Sequence, residues 1–229
     1  MKKVLGVPFS AHTRKVIVGL VAKGLAYKLE PIVPLRPDLP AEFVEASPLR
    51  KVPVLIDGGV SIADSTVIAL YLDRVHSERP LYPVDPAAYA KALFVEELVD
   101  GALAEHVLHG LLFQRVFRPA FLKQPTDDAL VASSLRDKIP PRFADLEKLL
   151  VGEWFAGASF SQADITVASI LLNFHYAGEA LDAGRFPKLS EFLTRALAAR
   201  PFVEALGREA PAARELGLLD LSLLARLGY

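Results

Sequence analysis

The chain has 229 residues, enough for one large domain or two small ones. Hydrophobic residues make up 52%, the formal net charge is −1 and the isoelectric point is near 6.5, a balance that argues against nucleic acid as the main partner. Cysteine is absent, which excludes disulfides, thiolate metal sites and a cysteine nucleophile. No apolar run approaches the length of a membrane span, so no membrane partner is expected. Met1-Lys2-Lys3 leads into only four apolar residues before Pro8, too few for a signal peptide, and the cytoplasm is the expected location.

In chain order, Lys3–Val7 reads as a first strand and Pro8-Phe9-Ser10-Ala11-His12 as a loop. Thr13–Leu25 reads as a helix with Val16, Ile17, Leu20 and Val21 on one face and Lys15 and Lys23 off it. Tyr27–Val33 reads as a second strand. Pro31, Pro34, Pro37 and Pro40 then disfavour regular structure, and Ala41–Ala46 allows a helical turn or two. Two apolar runs, Val52–Ile56 and Val60–Ala63, flank Asp57-Gly58-Gly59, the pattern of a hairpin. The period then changes: Val67, Ile68, Tyr71 and Leu72 fall at helical spacing behind Asp64 and Ser65, predicting a helix over Ser65–Val75. Such a helix start offers free N–H groups and a positive dipole end to a carboxylate.

Pro80–Pro86 carries three prolines in seven residues and reads as a linker. Beyond it the strand signals vanish. Tyr89–Phe117 reads as a long helix with Leu93, Phe94, Leu98, Leu103, Val107 and Leu111 as core, interrupted at Pro119 and Pro125. Ala129–Leu150 is a second helical region, broken or kinked at Pro140-Pro141. Ser161 and Asp164 have the spacing of a capping box, with Phe160 and Ile165 placed as a hydrophobic staple. Lys188–Ala199 and Pro201–Glu209 read as two more helices, and Leu216–Tyr229 has no assignment. The expected organisation is α/β plus all-α: a thioredoxin-like domain with a mixed four-stranded sheet over 1–79, a linker over 80–86, and an all-helical domain over 87–229.

Lys51-Val52-Pro53-Val54-Leu55, then a hairpin, then Asp64-Ser65 opening a helix, resembles the glutathione-binding half of the soluble glutathione transferases. The Ser161-x-x-Asp164 box resembles a folding signature of that family's helical half. The resemblance implies a donor just after the first strand that favours the glutathione thiolate over a thiol of pKa about 8.5. No tyrosine precedes Tyr27, and cysteine is absent, so the serine-type classes fit best. Pro8-Phe9-Ser10-Ala11-His12-Thr13-Arg14-Lys15-Val16 is similar to their loop, which implies Ser10 as the catalytic hydroxyl. Alternatives stay open: Ser10 or Thr13 as a helix cap, and His12 as a second donor or a solvated loop residue.

The same resemblance implies Ser65 at the γ-glutamyl carboxylate and Asp64 near its ammonium, against the plain reading that both only cap a helix. It implies backbone pairing of Val52 with the cysteinyl part, helped by a cis Val52–Pro53 bond. It also implies that Lys51, or Arg50 in its place, faces the glycyl carboxylate, against the plain reading of an exposed lysine before a strand. Phe9, Phe113, Phe117 and the apolar tail are candidates for a second-substrate pocket, with Arg115 and Arg118 to attract an anionic group. Glu105, His106 and His109 lack metal-ligand spacing, so no metal is expected. Trp154 and Asp164 read as structural.

The implied activity is conjugation of glutathione, a co-substrate rather than a cofactor, to a small apolar electrophile by a homodimer. Isomerisation, dehalogenation and peroxide reduction fit the same residues. So does a non-catalytic role as an interaction module or a ligand carrier.

Overall fold

In the computed structural model, which describes residues 1–229, four strands form one mixed sheet of order β2-β1-β3-β4. They are β1 (Lys2–Leu5), β2 (Tyr27–Glu30), β3 (Val54–Asp57) and β4 (Val60–Ala63). β1 runs parallel to β2 and antiparallel to β3, which pairs antiparallel with β4. The parallel step needs a crossover, supplied by helix α1 (Ala11–Lys23). The antiparallel step needs only Gly58-Gly59, both at positive φ, the backbone of a two-residue hairpin turn. Strand pleating sends neighbours to opposite faces. Val4 and Leu55 pack with Val16 and Leu20 of α1 and with Ile68 and Leu72 of α3 (Ser65–Val75). Leu5 and Val54 face Ile32 and Phe43, the latter on α2 (Ala41–Ala46).

β2 ends at Glu30, three residues earlier than its apolar pattern suggested, although Gly6 still donates to the Glu30 carbonyl at 3.1 Å and accepts from Ile32 N–H at 3.2 Å. α1 begins two residues earlier than expected, because Ser10 rather than Thr13 takes the N-cap. It is buried nearly all round, so the expectation that Lys15 and Lys23 lie off the packed face is corrected. The sheet and α3 cover one side, and α7 (Gln162–Tyr176) and α9 (Arg200–Leu216) cover the other. Lys23 pairs with Asp73 at 2.6 Å and donates to the carbonyls of His76 and Arg79. Lys15 pairs with Glu96 at 2.9 Å and with Asp100.

The proline-rich 80–86 segment is pinned rather than loose. Leu81 and Tyr82 are buried, their N–H groups donate to the Asp73 carboxylate, and the Leu81 carbonyl accepts from Gln162 N–H at 2.7 Å. α4 (Pro86–Glu97) starts with proline in its first turn behind an Asp85 cap. It continues as wide π-helical turns over Leu98–Leu103 and Glu105–Leu122. Pro119 lies inside this run and does not end it, so the expected stop at Phe117 moves to Lys123 at φ 55. Phe94 is 56% exposed, against the expected core role, and Val95, Val99 and the carboxylate-bearing Glu96 are buried instead. α5 (Asp128–Ser133) runs through π turns at Ser134–Lys138 into α6 (Ile139–Leu149). Pro140-Pro141 fall in the first turn of α6, where the missing N–H groups cost little, so no break occurs.

Every residue of α7 is buried, and it is the axis of the helical half. α8 (Pro187–Ala198) and α9 pack beside it, α9 running past Pro211 to a Gly217 cap at φ 72. The tail that had no assignment folds back. Leu218 and Leu224 are buried, Leu219 N–H donates to the Tyr176 carbonyl at 3.0 Å, and Ser222–Arg226 form α10.

Candidate functional site

The site forms where the loop after β1 meets the helical half. Ser10 caps α1, and its oxygen accepts from Thr13 N–H at 3.4 Å, a long bond that leaves the hydroxyl proton free to donate elsewhere. The loop is held from behind. The carbonyl of Phe9 accepts from Arg14 Nη2 at 3.3 Å and from Asn173 Nδ2 at 3.2 Å. Arg14 is itself buried, forked onto Glu209 at 2.7 and 2.5 Å, and donates to Asn173 Oδ1 and the Ser169 carbonyl. Burial alone would lower the Arg14 pKa, but the Glu209 carboxylate outweighs it and raises it. Thr13 is fully buried under Gly6, so it lies away from the cleft that Ser10 borders.

His12 is on the first turn of α1 and not in a solvated loop. It lines the cleft, with Nδ1 3.7 Å from Asp100 Oδ1. Burial pushes the imidazole below its ordinary pKa, with Asp100 and Asp64 opposing and Lys15 and Lys51 reinforcing the shift.

The cleft holds ≈ 330 Å³. One wall carries Ser10, His12, Arg50, Lys51 and Val52. The other is aromatic: Phe9 and Phe117 rings lie 6.1 Å apart, Phe117 and Phe121 6.2 Å apart, and Phe113 is close by. All three expected pocket phenylalanines are therefore together. Val52–Pro53 is cis, as expected from the sequence. Ser47 accepts from Lys51 N–H at 3.0 Å and donates to the Lys51 carbonyl at 2.9 Å, which holds the segment feeding β3. Arg50 and Lys51 both border the cleft, so the two candidates for one role are neighbours there.

Asp64, Ser65 and Pro53 lie outside the lining of this cavity. Asp64 is the N-cap of α3 at φ 78, and one oxygen, Oδ1, accepts from Thr66 and Val67 N–H at 2.9 and 3.1 Å. Its Oδ2 has no protein partner. Ser65 follows as the first helical residue and is 5% exposed.

Arg115 and Arg118 do not enter the cleft. Arg115 donates to the Ala177 carbonyl and to Glu179, and Arg118 to Gln114, which corrects their expected role as anion attractors. Glu105 and His106 border a separate polar hollow of ≈ 310 Å³, whereas His109 faces the cleft. Trp154 packs edge-on against Phe160 and Phe192 in the helical half.

Two polar assemblies have no counterpart in the sequence reading. One is Arg14–Glu209–Asn173 with Tyr176, whose hydroxyl donates to Glu209 at 2.6 Å. The other is Lys15–Glu96–Asp100, where Glu96 also accepts from Tyr82, Thr66 and Thr166. The only local signal was the pair of cations, Arg14-Lys15, inside an apolar helix pattern.

Comparison with known proteins places the chain in a family. The family model for the glutathione S-transferase N-terminal domain matches residues 4–80, and that for the C-terminal domain matches residues 112–205. Glutathione S-transferase Z2 of Arabidopsis thaliana is similar, at 30% identity over 191 residues covering 80% of each chain. A glutathione S-transferase of Sinorhizobium meliloti shares the fold over 100% of both chains, with a TM-score of 0.85 at 22% identity. One of Methylobacterium radiotolerans, solved in complex with glutathione sulfonate, covers 89% of this chain and 93% of its own, with a TM-score of 0.74 at 26% identity. The chain belongs to the glutathione S-transferase family.

Proposed function

We propose that the protein conjugates glutathione to a small apolar electrophile in the cleft between its α/β part, residues 1–79, and its helical part, residues 87–229, with 80–86 as the pinned link. The observation that carries this reading is that Ser10 lines one cleft together with Lys51 and Val52 and with Phe9, Phe113 and Phe117. In this reading the Ser10 hydroxyl donates to the glutathione sulfur and favours the thiolate, the attacking form. The Val52 peptide group pairs with the cysteinyl part, and Lys51 or Arg50 meets the glycyl carboxylate. Ser65 takes the γ-glutamyl carboxylate, with the free Oδ2 of Asp64 toward the ammonium. Phe9, Phe113 and Phe117 hold the electrophile by apolar contact.

A homodimer belongs to the proposal. It is supported by exposed Val67 on α3 and by Tyr89 and Phe94 on α4, helices joined by the Thr66 hydroxyl to Glu96 at 2.9 Å. Sedimentation should show twice the chain mass. The activity itself is tested by titrating glutathione calorimetrically and assaying a panel of chromogenic electrophiles. Binding with turnover supports the proposal. Binding without turnover of any electrophile leaves a carrier or an interaction module, and no binding removes the reading altogether.

A further inference from the structure

Ionising a thiol releases a proton, and a serine hydroxyl is not basic enough to take it. His12 borders the same cleft as Ser10 and has no part in the conjugation scheme above. Its Nδ1 and the Oδ1 of Asp100 are both buried, 3.7 Å apart, and neither has another partner. The other Asp100 oxygen is held by the buried Lys15 ammonium, which also pairs with Glu96, so Asp100 is anchored in place. The remaining imidazole nitrogen, Nε2, takes no hydrogen bond from the protein and is not among its buried unpaired atoms. A carboxylate beside Nδ1 favours the tautomer with hydrogen there, which leaves the Nε2 lone pair available.

We propose that His12 accepts the thiol proton of bound glutathione at Nε2, with Asp100 as the residue that positions its ring. The inference rests on the reading that glutathione is bound and ionised at Ser10. In the step, the S–H bond breaks and its electron pair stays on sulfur as the thiolate. The proton forms an N–H bond at Nε2, and the imidazolium is offset by Asp100. The proton then passes to water at the open cleft, restoring the neutral ring. The charges that face His12 set the balance. Asp100 and Asp64 favour the imidazolium, whereas Lys15 and Lys51 oppose it, with Arg50 and His109 elsewhere on the cleft walls. Burial keeps the ring neutral and ready to accept at neutral pH.

The experiment compares wild type, His12→Gln, His12→Ala, Asp100→Asn and Ser10→Ala with a chromogenic electrophile at saturating glutathione across the neutral pH range. Melting curves of each protein accompany the rates. His12→Gln should lower kcat by roughly a hundredfold and shift the acid limb of the pH–rate profile to that of unassisted thiol ionisation. Added imidazole should restore part of the rate of His12→Ala and none of that of Ser10→Ala. Asp100→Asn should show a smaller loss in the same direction. A His12→Gln protein within twofold of wild type, with an unchanged profile, overturns the inference while leaving Ser10 in its role. So does a loss in the His12 variants that imidazole does not restore and that leaves the acid limb in place. A wild type that binds glutathione without ionising it overturns both this inference and the proposed function.

Discussion

Helix α3 opens with Asp64-Ser65 at the end of β4, and α7 opens with Ser161 and Asp164 in the centre of the helical half. Both use an acidic residue to satisfy N–H groups that a helix start leaves free. At α7 the supply is used up inside the protein. Asp164 is fully buried, and its carboxylate accepts from the N–H groups of Phe155 and Ser161 and from the Ser161 hydroxyl. At α3 the carboxylate is exposed, one oxygen serves two N–H groups, and the other is unused. The same residue types thus build a closed joint in one place and an open helix start in the other. What separates them is whether the surrounding chain consumes the donors and acceptors.

If that distinction holds, breaking the closed joint should cost stability and leave chemistry alone. Asp164→Ala strands three buried donors, each worth about 1–3 kcal/mol when unpaired. Part relaxes, so the net loss should be roughly 2–4 kcal/mol, or about 2–4 °C of melting temperature per kcal/mol in a chain of this size. Kinetic constants well below melting should barely move. The gap should also depend on pH. Burial holds the Asp164 pKa up at about 6, above its unfolded value, so between those values the folded state binds the extra proton. Wild type should therefore lose stability, relative to Asp164→Ala, as pH rises from about 4 to about 6, and little further above that. A gap that widens with rising pH, or a large catalytic loss without a change in melting, would put Asp164 in the open class.

Ser10 stands at a third helix start, and it sharpens the comparison because it is half committed: a 3.4 Å cap bond on one side, a free donor on the other. Ser10→Ala should therefore show little in melting and much in rate. One hydrogen bond to a charged acceptor is worth about 1.5–3 kcal/mol. Spent on the thiolate, that raises the bound thiol by roughly one to two pKa units and slows conjugation at neutral pH about ten- to a hundredfold. Raising the pH should recover much of the rate, since the thiol still ionises. Coincident pH–rate profiles for wild type and variant would return Ser10 to the closed class.

The parts legible in the sequence are those whose cause is local. Gly58-Gly59 fix a hairpin by their own backbone, Asp64 and Ser161 mark helix starts by their own side chains, and the prolines at 80–86 mark the link. Ser10, Lys51, Val52 and the three phenylalanines line one cleft, and each sits next to an element boundary or on one helix. Lys15 and Lys23 could not be placed that way. An isolated lysine in a helix pattern reads as solvated, and only carboxylates far along the chain, Glu96, Asp100 and Asp73, make its burial tolerable. Arg14 and Glu209 are 195 positions apart, and nothing near either predicts the other. His12 was misplaced because its partner is on a different helix. The wide turns over 98–122 likewise left no periodic mark, and on α4 before them Val95 is buried where Phe94 is exposed.

The smallest effect expected is at Ser65, and it bears most directly on the open helix start. Ser65 is the first residue of α3, and Asp64 caps the N–H groups of the two residues after it, not that of Ser65 itself. A γ-glutamyl carboxylate there would take that N–H and the hydroxyl, with the helix dipole adding on the order of 0.3–1 kcal/mol. Ser65→Ala keeps the N–H and the dipole and removes only the hydroxyl. The affinity for glutathione should then fall by about 1 kcal/mol, a factor of roughly five to ten. Stability should change by less than about 0.5 kcal/mol, because the cap is Asp64 and alanine suits a first helical turn. Titration calorimetry and thermal melting of the same preparations separate the two. Unchanged affinity would mean that Ser65 only starts a helix. A stability loss as large as that of Asp164→Ala would mean that its hydroxyl is already taken within the fold, and that α3 opens as closed a joint as α7.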